Sequence, residues 1–133
     1  MARIAAVIPH FWSVRRPNIL TLVRELNNGT VPPEQLVLWN NEHPFDILPQ
    51  GVSVIQSPLN IGCKARFLAA MCTSADYVLF QDNDVAVQPD TLSHLLTYAQ
   101  IFAGDIVALE GRKLRNGQTY DHCEFVDGRK LTE

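Results

Sequence analysis

Two acidic side chains, one residue apart, are the groups in this chain best suited to chemistry. They belong to the triplet Asp82-Asn83-Asp84, which follows the apolar run Tyr77 to Phe80 after a single residue, Gln81. In an extended backbone, residues i and i+2 point to the same side about 6.5–7 Å apart, so both carboxylates can face one cation. Oxygen ligands suit Mn²⁺ or Mg²⁺, and such a cation keeps open positions for substrate phosphates. The triplet therefore predicts a site in which Asp82 and Asp84 hold Mn²⁺ or Mg²⁺.

The same triplet is also typical of a simple turn after a strand, where Asp and Asn are frequent. Its position favours the metal site, because ligands of parallel α/β sheets bind beyond the carboxyl ends of the strands. An EF-hand calcium loop is excluded, since Ala86 stands where a third ligand belongs and no loop glycine follows.

Apolar runs alternate with amphipathic segments along the chain, which predicts an α/β fold with a mostly parallel sheet and helices on both faces. The predicted strands are residues 4–8, 36–39, 52–55, 77–80 and 106–109, and Glu124 to Val126 is a candidate edge strand. The predicted inner faces of the three helices are Ile19, Leu22, Val23 and Leu26, then Cys63, Phe67, Ala70 and Met71, then Leu92, Leu95, Leu96 and Ala99.

Parallel strands bring their carboxyl ends to one edge of a sheet, so the residues that follow the predicted strands should form the rim of a single site. This rim consists of Pro9-His10, Trp39-Asn40-Asn41, Ser57 to Asn60, Asp82 to Asp84 and Glu110-Gly111-Arg112. Several of these residues also have a purely structural interpretation. His10 is equally a structural polar residue at a strand end, and Glu110 is expected to pair with Arg112 rather than to face an acceptor.

Composition narrows the class of protein. A length of 133 residues, 47% of them hydrophobic, fits one soluble domain. The net charge of -3 gives no indication of a nucleic-acid partner. No apolar run approaches the roughly 18–20 residues of a membrane span. The three cysteines are odd in number and lack CxxC spacing, which favours reduced thiols and a cytoplasmic location.

Three segments carry a resemblance to a known family. Asn60-Ile61-Gly62 with Ala65-Arg66, then Asp76 to Asp84, then Pro89-Asp90 have the order of the central signature of GT-A glycosyltransferases. The spacing resembles family 2, whereas Leu38 to Asn41 and Ile106 to Arg112 are more similar to the exostosin-like family 64. The resemblance covers residues 4 to 112 and implies a Rossmann-like GT-A nucleotide-sugar-binding domain.

The resemblance also implies roles for individual residues. Asp82 and Asp84 are expected to bind the metal ion, and Asp82 or Asn83 is expected to contact the ribose as well. Further residues are expected to contact the nucleotide sugar. His10 and Asn40 are expected at the base, and Arg66 is expected at the base or the diphosphate. Asn60 is expected to shape the loop between them. Asp121-His122 is expected to be a surface loop, although later histidines reach the metal in some GT-A enzymes.

Taken together, these features predict a metal-dependent hexosyltransferase. It is expected to move a sugar from a nucleotide-diphosphate donor, UDP-linked in the favoured version, to a glycan, lipid or protein acceptor. Residues 1–133 are expected to form one GT-A-type domain, the donor-binding half, with a short acceptor region after Asp84. The alternatives are a non-catalytic nucleotide-sugar-binding module and a sugar nucleotidyltransferase, although Pro9 to Ser13 lacks the glycine-rich loop of the latter. The sequence does not determine whether the protein forms a homo-oligomer, which residue is the catalytic base, or whether the anomeric configuration is retained or inverted.

Overall fold

Two compact units make up the chain in the computed structural model, Met1–Ser93 and His94–Glu133. The structure describes residues 2–47, 50–113 and 124–127. The first unit contains a four-stranded sheet, and the second contains a two-stranded one. The single domain over residues 1–133 stays a prediction.

The first unit is built on a parallel sheet. Its strands are β1 (Ile4–His10), β2 (Gln35–Asn40), β3 (Val52–Gln56) and β4 (Tyr77–Phe80), arranged in the order β3-β2-β1-β4. Every neighbouring pair is parallel, which confirms the predicted α/β class. The strand order reverses between β1 and β4, so these two strands flank the topological switch point where open α/β sheets bind their ligands.

Three helices accompany the strands. Helix α1 (Arg16–Asn27) follows a 3₁₀ turn at Ser13–Arg15, and α2 (Ala65–Met71) follows a 3₁₀ turn at Gly62–Lys64. Helix α3 spans Thr91–Ile101 and crosses from the first unit into the second. The buried residues of α1 are the predicted ones, Ile19, Leu22, Val23 and Leu26. Pro17 stands in the first turn, where its missing N–H costs no hydrogen bond.

Both faces of the central strand are covered. All seven residues of β1 are buried, although successive side chains of a strand point to opposite faces. On one face, Val7 and Val37 pack with Ala69 of α2. On the other face, Ile8 and Leu38 stand next to each other in register and are almost completely buried. The helices-on-both-faces arrangement therefore agrees with the prediction.

The buried face of α2 differs from the prediction. Ala65 and Ala69 are fully buried, whereas Cys63, Phe67 and Met71 are exposed, and only Ala70 of the predicted face packs partly buried against the core. Two alanines four residues apart let the helix backbone approach the sheet closely, and larger side chains at these positions would hold it away. The small size of these alanine side chains therefore determines which face of α2 is buried. The prediction was wrong because it considered the spacing of apolar residues and not their size.

The predicted fifth strand at residues 106–109 is wrong. Ile106 is 98% exposed, and the strand of this region is β5 (Glu110–Lys113). Strand β5 pairs antiparallel with β6 (Glu124–Asp127), which confirms that residues 124–126 lie in a strand. Backbone pairing with β6 defines this strand. Residues 110–112 consequently do not follow a sheet strand, so they are not the rim segment that was expected.

Two further expectations concern sites and location. Asp121 and His122 lie outside the described residues. No helix within the described ranges has both the length and the apolar character needed to cross a bilayer. The cytoplasmic location stays a prediction.

Candidate functional site

The acidic triplet leaves the sheet at the switch point between β1 and β4. Gln81 extends the pairing of these strands by one bond, from its backbone N–H to the oxygen of Val7, at 3.0 Å. The buried side chain of Gln81 then donates from Nε2 to the backbone oxygens of Asp82 and Val85, at 2.8 Å each. These bonds fold residues 82–85 into a turn, so the triplet does not have the extended backbone that was assumed for it.

Asn83 anchors this turn to the rest of the fold. Its side chain is buried, with Nδ2 2.9 Å from Nδ1 of His10 and Oδ1 accepting a hydrogen bond from Nη1 of Arg15 at 3.3 Å. Its backbone oxygen accepts a hydrogen bond from Nδ2 of Asn18 at 2.8 Å. The middle residue of the triplet therefore points into the protein and connects β4 to the end of β1 and the start of α1.

The two acids of the triplet are half exposed, and each forms an ion pair with an arginine. Asp82 Oδ1 lies 2.6 Å from Nη2 of Arg66, and Asp84 Oδ2 lies 2.7 Å from Nη1 of Arg15. The second carboxylate oxygen of each residue has no partner within the described part of the chain. Ion pairs at this exposure contribute about 0–1 kcal/mol, so a ligand can replace them at small cost.

Both arginines are held by further contacts. Arg66 donates from Nε to the backbone oxygen of Cys63 at 3.1 Å, which fixes its side chain along the start of α2. The guanidinium of Arg15 lies over the ring of Trp12, 4.5 Å from the ring centroid. Two positive groups from different elements therefore converge on the two acids.

The donor atoms of the triplet fit a hard divalent cation. Only oxygens are offered, and Mg²⁺ or Mn²⁺ is commonly held by one or two carboxylates, with waters and substrate phosphates completing its ligands. Within the described residues no group of three or more His, Cys, Asp and Glu side chains could hold a metal ion. Asp82 and Asp84 thus supply a partial ligand set of the kind that a phosphate-bearing substrate completes.

His10 is fully buried at the end of β1. Burial lowers its pKa, and the charge of Arg16 lowers it further, whereas Glu42 acts in the opposite direction. Because Oδ1 of Asn83 accepts from Arg15, its Nδ2 donates to Nδ1 of His10, and the proton of the neutral ring is on Nε2. That Nε2 is buried without a hydrogen-bond partner, and the ring lies 5.4 Å from that of Phe45.

Asn40 lies beside His10 in the register of the sheet and is also fully buried. Its Nδ2 donates to Oε1 of Gln56 at 2.8 Å and to the backbone oxygen of His43 at 3.0 Å. Its Oδ1 accepts from the backbone N–H of Glu42 at 3.2 Å. The amide therefore holds the loop after β2, and its contact with a nucleotide base stays a prediction.

Asn60 forms a local turn in the loop after β3. Its Oδ1 accepts from the backbone N–H of Gly62 at 2.8 Å, and Gly62 has a φ of +65°, which favours glycine. Asn41 connects this loop to β2, because its Oδ1 accepts from the N–H of Ile61 at 3.3 Å and from Nε1 of Trp39 at 3.1 Å. The carboxyl ends of β2 and β3 are thereby joined.

The structure thus brings most of the predicted site residues to one edge of the sheet. His10, Asn83 and the two acids meet at the switch point, and Arg66 reaches them from α2. Sequence reasoning missed Arg15, Asn18 and Gln81. The signal for Arg15 was a basic pair, Arg15-Arg16, just after the first strand. Asn18 and Gln81 left no signal, because their bonds to the turn depend on tertiary contacts.

Comparison with known proteins bears on the fold. No protein-family model and no curated protein matches the chain. Among solved structures, it is similar to the crystal structure of S. aureus TarS 1-349, a glycosyltransferase, with a TM-score of 0.60 and 20% sequence identity. The fold is glycosyltransferase-like. The match covers 74% of this chain and 32% of that chain, so the chain spans about a third of the TarS structure.

Proposed function

We propose that this chain binds a nucleotide-diphosphate sugar, with UDP as its nucleotide, and takes part in glycosyl transfer with the help of Mn²⁺ or Mg²⁺. One observation carries the proposal. Two half-exposed carboxylates, Asp82 and Asp84, stand at the switch point of a glycosyltransferase-like fold, each with an unpartnered oxygen. The acceptor, a glycan, lipid or protein, belongs to the same proposal, as does the hexosyl nature of the sugar.

The residues of the triplet have two proposed roles, binding of the cation and support of the turn. Asp82 and Asp84 would hold the cation through carboxylate oxygens, and Asn83 fixes the turn from which they project. The cation, when bound, supplies the positive charge that the diphosphate needs as it leaves the sugar. Arg66 would bind phosphate oxygens, because its guanidinium offers several donors in a planar fork.

Buried polar residues would support the nucleotide side of the site. His10 and Asn40 hold the turn after β4 and the loop after β2 respectively, and both side chains are fully buried. Their proposed part in base binding is therefore mainly to shape the surface above them. Phe45, which contacts His10 and Arg16, would contribute an aromatic ring to that surface.

Nucleotide release from a panel of UDP- and GDP-sugars, with and without Mn²⁺, tests this function. We expect Mn²⁺-dependent release of UDP that is lost in Asp84→Asn. The matched control is Asp76→Asn, because Asp76 is an equally exposed acid at the other end of β4 that also pairs with an arginine, Arg3. The control should retain the activity of the unmodified protein.

The two alternative functions predict other products. A non-catalytic module would bind UDP-sugar without releasing UDP over many hours. A sugar nucleotidyltransferase would instead form nucleotide sugar and pyrophosphate from a nucleoside triphosphate and a sugar phosphate. Release that persists without metal and in Asp84→Asn would contradict the proposed role of the acids.

A further inference from the structure

Arg15 contacts two of the three residues of the acidic triplet. Its Nη1 lies 2.7 Å from Oδ2 of Asp84 and 3.3 Å from Oδ1 of Asn83. Arg15 ends the 3₁₀ turn that follows β1, whereas Arg66 belongs to α2. The guanidinium of Arg15 therefore reaches the switch point from the β1 side of the site.

The remaining donors of Arg15 are unused. A guanidinium has five N–H groups, and both contacts with the triplet are made by Nη1. The N–H groups on Nε and Nη2 have no partner within the described residues. The ring of Trp12 covers one face of the guanidinium and limits its orientations. Arg15 is thus positioned in the site with three donors still available.

Another arginine–aspartate pair of the same unit lacks these features. Arg3 and Asp76 form their ion pair at the opposite end of β4, with the Arg3 side chain 54% exposed. The Arg15 side chain is 27% exposed, because Trp12 and the triplet cover it. The pair of Arg3 and Asp76 is an ordinary surface ion pair, so Arg3 serves as the comparison for Arg15. Arg15 is held at a site where ligands of this fold class bind.

The charges at the triplet explain what Arg15 would bind. Two arginines and two aspartates cancel each other when the site holds no ligand. A divalent cation bound by these carboxylates competes with the two guanidinium groups for the same negative charge, so the ion pairs weaken and the arginines gain from new acceptors. A diphosphate offers several oxygens in a geometry that a planar guanidinium matches with paired hydrogen bonds.

We infer that Arg15 is a diphosphate-binding residue, which Asp84 holds in place until the donor is bound. The inference rests on the proposed function, since it names a further residue for the same ligand. It also implies a competition at Asp84, because the oxygen that pairs with Arg15 cannot pair with Arg15 and bind a cation at the same time. Removing Arg15 should therefore weaken binding of the diphosphate without weakening binding of the cation.

The test compares Arg15→Gln with Arg3→Gln by isothermal titration calorimetry. The probes are UDP and uridine, each in the presence of Mn²⁺, and Mn²⁺ alone. We expect Arg15→Gln to lower the affinity for UDP at least about tenfold and to leave the affinity for uridine within about twofold. Its affinity for Mn²⁺ alone should be unchanged or higher, because Asp84 is released. Arg3→Gln should match the unmodified protein with every probe.

The outcomes separate this inference from the proposed function. If the unmodified protein binds neither UDP nor uridine with Mn²⁺, the proposed function fails, and the inference fails with it. If it binds UDP but Arg15→Gln binds UDP equally well, only the inference is overturned. Equal losses of UDP and uridine affinity in Arg15→Gln would show a structural role and would also overturn it.

Discussion

Nδ2 of Asn83 lies 2.9 Å from Nδ1 of His10, and this buried contact joins the ends of β4 and β1 at the switch point of the sheet. The same amide accepts a hydrogen bond from Arg15 through Oδ1. Asn83 therefore turns inward while its two acidic neighbours stay half exposed. The contact fixes the turn at residues 82–85, and this fixed turn is the platform from which the two carboxylates project.

Substitution of Asn83 tests the importance of this platform. Asn83→Ala leaves the buried Nδ1 of His10 without its donor, so we expect the free energy of unfolding to fall by about 1–3 kcal/mol. Urea denaturation followed by circular dichroism measures the change. Asn60→Ala is the control, because Asn60 is exposed and bonds only within its own turn. Equal stability of Asn83→Ala and the unmodified protein would show that the contact does not hold the fold.

The buried His10 predicts a pH dependence of stability. Burial lowers the folded-state pKa of His10 below its ordinary value near 6.5, so the unfolded chain takes up the proton more readily. The contribution of neutral His10 to the free energy of unfolding is fully present above about pH 6.5, and it is lost as the pH falls from there toward the folded-state pKa. The free energy of unfolding of the unmodified protein should consequently decrease over this range.

A variant isolates the contribution of His10 to this decrease. His10→Gln has no titrating ring, so its stability should fall less steeply below pH 6.5 than that of the unmodified protein. Urea titrations at several pH values from about 7.5 to about 5 give both slopes, and the comparison does not depend on the absolute stability of the variant. Identical slopes would assign the pH dependence to other groups.

The close packing of α2 predicts that its small residues cannot be enlarged. Ala69 is fully buried against Val7 and Val37, so Ala69→Leu should destabilise the fold by about 1–3 kcal/mol through overpacking. Met71→Leu is the matched control on the same helix, because Met71 is 81% exposed and the change should be nearly neutral. Thermal unfolding of both variants measures the difference. Similar midpoints would contradict the close contact of helix and sheet.

Sequence patterns were enough to predict the parts of the fold that apolar periodicity controls. The buried stripe of α1 follows from this periodicity, and the four parallel strands follow from short apolar runs. The rule for parallel sheets then brings His10 and the triplet to one edge. The buried face of α2 was missed because close approach selected Ala65 and Ala69 by size. Strand β5 was missed because it depends on pairing with β6, which is a contact distant in sequence.

Side-chain networks at the site were beyond sequence reasoning for a related reason. The triplet was treated as extended, but Gln81 folds it into a turn through bonds that depend on its own buried position. Asp82 or Asn83 was expected to contact the ribose, and sequence reasoning did not anticipate that the side chain of Asn83 contacts His10. Such choices depend on which polar groups meet in three dimensions, because buried donors and acceptors must find partners.

Titration of UDP into the protein, with Mn²⁺ and with EDTA, tests the central claim most directly. We predict binding that requires Mn²⁺ and that weakens at least about tenfold in Asp84→Ala, because that variant keeps only one carboxylate for the cation. Asp76→Ala should bind like the unmodified protein, since its acid lies at the other end of β4. No binding of UDP under either condition, or binding that is equal in EDTA and in Asp84→Ala, would contradict the account.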